Sequence, residues 1–214
     1  MQKVLWFMIV IPVILAGGAM HWKNSKSNEV FWRLLPKCLA TWMVVCTAAV
    51  GVFYYGNNKS SILILIASFL FMIADALLEI RFMAGVGCFA VGHFFLIVWM
   101  IGQSQFHMGI FILFCVGVLA SIFLFRKELK QELKIYLLIG YTLILSSMMA
   151  LAVFLPITQG KLFLLAGIGG VGFWISDMFV GKSVFGKLTP VQDLGALYLY
   201  YFSILCFAVT IWTI

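Results

Sequence analysis

The chain of 214 residues is 64% apolar and only 10% charged, with a mean hydropathy of +1.14. Soluble domains carry roughly 25% charged residues, so this composition excludes a water-soluble globule and predicts a polytopic membrane protein with the lipid bilayer as its first partner. The net charge of +7 is no nucleic-acid footprint, because the basic residues gather in short connections between apolar runs, which is the pattern of membrane topology.

Eight apolar stretches each approach the roughly 20 residues that cross the hydrocarbon. The first is Val4–Met20. Met1–Gly18 has signal-peptide character, but its apolar core is long and no clear Ala-x-Ala site follows, so it is expected to remain as a span. Span two, Phe31–Phe53, carries Lys37; span three, Ser61–Ile80, carries Asp75 and Glu79; span four, Ala84–Ile101, carries His93. Span five is His107–Phe125, and the polar run Arg126–Lys134 after it reads as a charged helix extension or a tight helical loop. Span six is Ile135–Leu155, span seven, Lys161–Val180, carries Asp177, and span eight is Val191–Trp212. The expected fold is therefore all-α: one transmembrane domain over residues 1–214, built as a bundle of eight helices. Cys38, Cys46, Cys88, Cys115 and Cys206 all fall in apolar runs without a Cys-x-x-Cys pair, so they predict neither a disulfide framework nor a zinc knuckle.

Spans three and seven echo each other. Phe71-Met-Ile-Ala-Asp75-Ala-Leu is matched 102 residues later by Phe173-Trp-Ile-Ser-Asp177-Met-Phe, which predicts two weakly related halves of four spans in parallel. At 1.5 Å per residue both aspartates lie roughly 5–8 Å inside the same boundary, with Lys37 at about 9 Å and His93 near mid-membrane at about 13 Å. Glu79 is one turn beyond Asp75 on the same face. The convergence predicts a polar cavity open to one leaflet. An aspartate is too short to snorkel far, and an ionised carboxylate in hydrocarbon costs several kcal/mol, so Asp75 and Asp177 are the candidate catalytic pair. Plainer readings stand beside the others. Lys37 also suits a snorkelling lysine or a structural bridge to an aspartate, Glu79 and Arg81 suit the interface, and His93 suits a hydrogen-bonded core histidine.

Three soluble-protein motifs fail on context. Gly167-Ile-Gly169-Gly-Val-Gly172 matches G-x-G-x-x-G but lies within a span with no preceding strand, where close helix packing is the expectation. Gly181-Lys-Ser183 lacks the upstream glycine of a phosphate loop, since that position holds Ser176. His21, His93 and His107 fall at the inner edge, mid-membrane and outer edge, too far apart to share a zinc ion.

The stretch Ala74-Asp75-Ala-Leu-Leu, then Phe82-Met-Ala-Gly85-Val-Gly-Cys-Phe89-Ala-Val-Gly-His93, resembles the YhhN/lysoplasmalogenase family signature. Gly172-Phe173-Trp-Ile-Ser176-Asp177 is similar to that family's second signature, Lys37 stands at its Lys-Pro position, and Tyr200-Tyr201 resemble its final Tyr-Tyr. Ala74 replaces the usual glycine, and Cys38 replaces the proline after lysine. The resemblance implies an eight-span enzyme that cleaves the vinyl-ether bond of lysoplasmalogens, giving a fatty aldehyde and glycerophospho-ethanolamine or -choline. A lysophospholipid is then the expected substrate. Asp75 and Asp177 would be catalytic, and Lys37, His93, Glu79, Ser176, Tyr200 and Tyr201 would bind substrate.

Vinyl ethers are cleaved by acid rather than by nucleophiles. The reaction wants one carboxyl to donate a proton and one carboxylate to stabilise the cation or activate water, as in glycosidases. No metal ligand set and no cofactor are expected. A proton-coupled transporter of a lipid or small molecule also suits paired aspartates in a repeat, and a non-catalytic scaffold is a third reading.

Orientation follows from the connections. Those after odd-numbered spans carry Lys23, Lys26, Arg33, Arg81, Arg126, Lys127, Lys130, Lys134, Lys182 and Lys187, whereas the opposite side carries Lys3, Lys59 and Lys161. By the positive-inside rule the basic side is cytoplasmic and both termini are not, so the chain is expected as a multi-pass protein of the cell membrane. A reporter that works only in the cytoplasm should be silent when fused at the C-terminus; an active one would invert the topology.

Overall fold

A backbone in hydrocarbon has to satisfy its own polar groups, and this chain does so with helices. The computed structural model describes residues 2–25, 27–55, 59–126, 132–185 and 188–214. Among the described residues there is no strand, and eight helices are long and apolar enough to cross a membrane. They are α1 (Gln2–Asn24), α2 (Val30–Val50, continued by a π-helical turn, Gly51–Tyr55), α3 (Ile62–Ile80), α4 (Phe82–Gln103), α5 (Met108–Phe125), α6 (Glu132–Gln159), α7 (Leu164–Phe185, entered through a 3-10 turn, Lys161–Phe163) and α8 (Pro190–Thr210).

The helices outrun the expected spans where polar residues permit. Helix α7 continues past Val180 through Gly181-Lys-Ser183 to Phe185, and α6 begins at Glu132 rather than Ile135. A helix does not stop where the hydrocarbon ends, because polar side chains prolong it into the headgroup layer. Arg126 turns the chain after α5, and Glu132–Lys134 open α6; residues 127–131 of that charged run lie outside the described residues. Helix α8 starts on a capping box. The Thr189 hydroxyl accepts from the Gln192 amide at 3.3 Å, and the Gln192 side chain accepts from the Thr189 amide at 3.1 Å, with Pro190 following as first residue.

Pro36 sits inside α2 one residue before Lys37. A proline lacks an amide and strands the carbonyl four residues back. That carbonyl, of Trp32, accepts from Asn24 Nδ2 at 3.2 Å, and the next, of Arg33, accepts from His21 Nδ1 at 2.7 Å. Helix α1 thus repairs the break that α2 carries beside its lysine. The two approach closely at Gly17, where a Cβ would lie 2.7 Å from the Pro36 carbonyl oxygen.

Within each half the helices pack in sequence: α1 on α2, α2 on α3 and α3 on α4, then α5 on α6, α6 on α7 and α7 on α8. The two main seams between the halves, α2 on α8 and α4 on α6, are four-helix counterparts of one another, and α1 and α3 add smaller contacts with α8. At the centre Phe71 meets Phe173, its partner at the 102-residue offset, with ring centroids 5.2 Å apart. The first helix of each half is the most peripheral. Helix α5 buries only Gly117, Ser121 and Phe125, and α1 only Val10, Ile14, Gly17 and Gly18 among its described residues. The expected parallel repeat is therefore visible in the packing. The G-x-G-x-x-G run packs helices: a Cβ on Gly169 would lie 2.8 Å from the Ser203 carbonyl oxygen, and one on Gly172 would lie 2.5 Å from Ser203 Oγ.

Helix α4 offers an internal comparison of two glycines. A Cβ on Gly92 would lie 2.5 Å from the buried Phe71 ring, whereas one on Gly87 meets nothing within 4 Å. Gly92→Ala should cost about 1–3 kcal/mol by overpacking, and Gly87→Ala should gain up to about 1 kcal/mol of helix propensity. Thermal unfolding of both variants in the same detergent measures this, and equal midpoints would contradict the packing.

Candidate active site

Asp75 is 1% exposed, deep in α3, yet it is richly partnered. Lys37 Nζ from α2 lies 3.5 Å from Oδ1, while Oδ2 accepts from the Thr41 hydroxyl and, at 2.9 Å, from the Tyr200 hydroxyl on α8. Lys37 and Thr41 are four residues apart, so one face of α2 presents both. Lys37 also reaches Glu79 Oε1 at 3.8 Å, and the other Glu79 oxygen accepts from Arg33 Nε at 3.2 Å. His21 of α1 approaches the same glutamate, with Nε2 at 3.9 Å. The result is a continuous ionic chain from the basic end of the bundle inward, running from Arg33 through Glu79 and Lys37 to Asp75.

Asp177 occupies the equivalent place on α7 with a different set of neighbours. Its Oδ2 accepts from the Tyr141 hydroxyl of α6 at 2.5 Å, and His93 Nε2 of α4 lies 3.9 Å away. The arrangement repeats the first half. Each aspartate, on the third helix of its half, meets groups from the second helix of that half and the fourth helix of the other. The chemistry differs, because at the 102-residue offset from Lys37 stands Ile139.

Both aspartates line one cavity of about 510 Å³ at the basic end, a volume that falls within the ~300–1,000 Å³ of small-ligand pockets. Its polar rim includes Lys37, Glu79, Ser183 and Asp193, and its walls are largely apolar, with Leu78, Val86, Phe125, Met178 and Leu197 among them. Phe82, Met83 and Val180 line it too and are also exposed on the outside of the bundle, which places an apolar edge of the cavity at the lipid-facing surface. At the inner limit Phe89 and Tyr200 line it, backed by Phe71, Phe173 and His93; the His93 and Phe173 rings stand 4.5 Å apart. The aromatic rings behind the carboxylates lower the local polarity, which strengthens charge interactions there.

Of the residues marked in the sequence, the structure brings Lys37, Asp75, Glu79, Ser176, Asp177 and Tyr200 to this cavity. The Ser176 hydroxyl is turned away, donating to the Ala196 carbonyl at 2.8 Å. His93 lies behind the lining against Asp177, and Tyr201 is buried without lining the cavity. Sequence reasoning did not mark Thr41, Tyr141 or Asp193. Thr41 was signalled by its four-residue spacing from Lys37. Tyr141, which shares the start of its span with Tyr136, looks like any residue of an interfacial aromatic belt, and nothing local sets it apart.

A family model described as the YhhN family matches residues 30–211. No curated protein and no solved structure matches the chain. The family match starts at α2 and ends just beyond α8, leaving α1 outside while taking in every residue of the cavity lining. By that match, this eight-helix membrane protein belongs to the YhhN family.

Proposed function

We propose that the cavity hydrolyses the vinyl-ether bond of lysoplasmalogens, releasing a fatty aldehyde and a glycerophospho-ethanolamine or -choline. The observation that carries the reading is the pair of carboxyls from equivalent helices on one mostly apolar cavity, one of them beside an ammonium and the other beside a phenol and an imidazole. A one-chain lipid suits the shape. Its tail passes the apolar edge at Phe82, Met83 and Val180, while its phosphate meets Lys37 and the basic end.

The chemistry closes with two carboxyls. One donates its proton to the alkene carbon distal to the ether oxygen, leaving an oxocarbenium ion. The other, ionised, removes a proton from water as its oxygen bonds to the cationic carbon, giving a hemiacetal. The first carboxylate then takes the hemiacetal hydroxyl proton while the second returns its proton to the departing glycerol oxygen. Aldehyde and alcohol leave, and both carboxyls regain their starting states. One water is consumed and no cofactor enters the scheme.

The internal repeat favours a second reading, a proton-coupled transporter. Such a protein needs a path to the other end of the bundle, where Trp99, Met100, Leu155, Phe207 and Ile211 are buried in the packed core. Substrate cleavage separates the two readings.

Purified protein should release aldehyde from alkenyl lysolipids and leave saturated alkyl-ether lysolipids intact, because only the alkene accepts the proton. Asp75→Asn and Asp177→Asn should each lower kcat at least about a hundredfold, the lower range for a general acid or base, without loss of folded yield. Variants that lose yield while keeping specific activity would make the aspartates structural. Lys37→Met should raise KM more than it lowers kcat, as expected for a group that binds substrate in ground and transition states alike. Equal loss in kcat and kcat/KM would move lysine into the chemical step.

A further inference from the structure

We propose that His93 and Asp177 hold a single proton between them, which makes Asp177 the proton donor of the pair and His93 its positioning residue. The use of that proton in catalysis rests on the vinyl-ether reading above; its location follows from hydrogen-bond geometry alone.

His93 is fully buried, and its Nδ1 lies 2.8 Å from the Phe89 carbonyl oxygen one turn back on α4. A carbonyl only accepts, so the hydrogen of this bond is on Nδ1, and in the neutral ring Nε2 is left as a bare lone pair. That lone pair has no hydrogen-bond partner among the described residues, and it stands 3.9 Å from Asp177 Oδ2, about 1 Å beyond hydrogen-bond length. Two acceptors face each other here, and such a contact is favourable only when one of them carries a proton. A hydrogen on the carboxyl turns the contact into an O–H facing a lone pair, which a shift of about 1 Å closes to a hydrogen bond. In that form the pair holds the one proton that a second carboxylate would lack.

The surroundings of the two aspartates assign the roles. Asp75 Oδ2 accepts from two hydroxyls, Thr41 and Tyr200, while its Oδ1 has no hydrogen-bond partner among the described residues and faces the Lys37 ammonium at 3.5 Å as an ion pair, so a cation and two hydroxyls face this carboxyl and no bare acceptor does. Asp177 has one donor, Tyr141 from α6, and one acceptor, His93 from α4; among the described residues no Lys or Arg forms an ion pair with it. The remaining charged groups on the cavity, Lys37, Glu79 and Asp193, come from α2, α3 and α8. A site that presents an acceptor to a carboxyl is built for its protonated form. Asp177 is then the acid that protonates the alkene, and Asp75 the carboxylate that takes the water proton.

The chain has only three aspartates, Asp75, Asp177 and Asp193, so carboxyl-13C aspartate labelling of the whole protein gives a readable infrared spectrum without substrate. At neutral pH one labelled carbonyl band of a protonated carboxyl should appear. It should vanish in Asp177→Asn and persist in Asp75→Asn. In His93→Gln, where an amide can donate in place of the lone pair, the band should weaken or shift. A band that is lost with Asp75 instead, or that is indifferent to His93, overturns the proposal. Should His93→Gln not fold, 15N-histidine spectra of the unaltered protein decide: a His93 ring protonated on Nε2 and bare on Nδ1 would sink it. In turnover His93→Gln should lower kcat about tenfold or more with little change in KM, as for a weakened general acid; an unchanged kcat would also count against it. If the spectra hold but no vinyl ether is cleaved, the reaction is wrong and the proton assignment stands.

Discussion

Two carboxyls buried among lipid-facing helices constrain the rest of this molecule. A carboxylate removed from water costs several kcal/mol unless hydrogen bonds and charge replace its hydration. The chain supplies these replacements by bringing two other helices to each aspartate rather than by local structure. Lys37, Thr41 and Tyr200 surround Asp75 from two other helices, and Tyr141 and His93 do the same for Asp177. The α2–α8 and α4–α6 seams between the halves are the contacts that carry these groups inward. Joining the halves and sheltering the carboxyls are one structural act.

The repeat then explains why the two sites are alike in plan and unlike in chemistry. Both aspartates descend from the same place in a four-helix unit, so each meets the same neighbouring elements. Yet one unit has a lysine where the other has an isoleucine, and only the first site draws on the ionic chain through Glu79 and Arg33. Separating the environments of two carboxyls is the general way in which one becomes acid and the other base. A symmetric frame with asymmetric side chains separates the two environments here.

Packing at the centre serves the same end. Phe71 and Phe173 meet close to the axis that relates the halves, and the rings of Phe89, His93 and Tyr200 complete a cluster behind the cavity. Gly92 is what admits Phe71 so closely to α4. The cavity is thus closed toward mid-membrane by aromatic packing and left open toward the basic end and toward lipid.

Hydropathy determined the class and the eight spans, and the placement of Lys and Arg gave the basic bias of alternate connections, because each is a property of consecutive residues. The matching Phe71–Asp75 and Phe173–Asp177 stretches likewise disclosed the repeat and the two carboxyls, since an aspartate in an apolar run has few structural excuses. The family resemblance, carried by the same residues, agrees with the match over 30–211. What the sequence left open was partnership. Tyr141 lies 36 residues from Asp177 and Tyr200 lies 125 from Asp75, and no local pattern joins residues so distant. Nor did His93 announce which carboxyl it serves, since its place in the chain follows Asp75 while its lone pair faces Asp177. Only the crossing of one half over the other decides such contacts, because side chains from different helices meet according to helix rotation and packing depth, which composition and spacing do not encode.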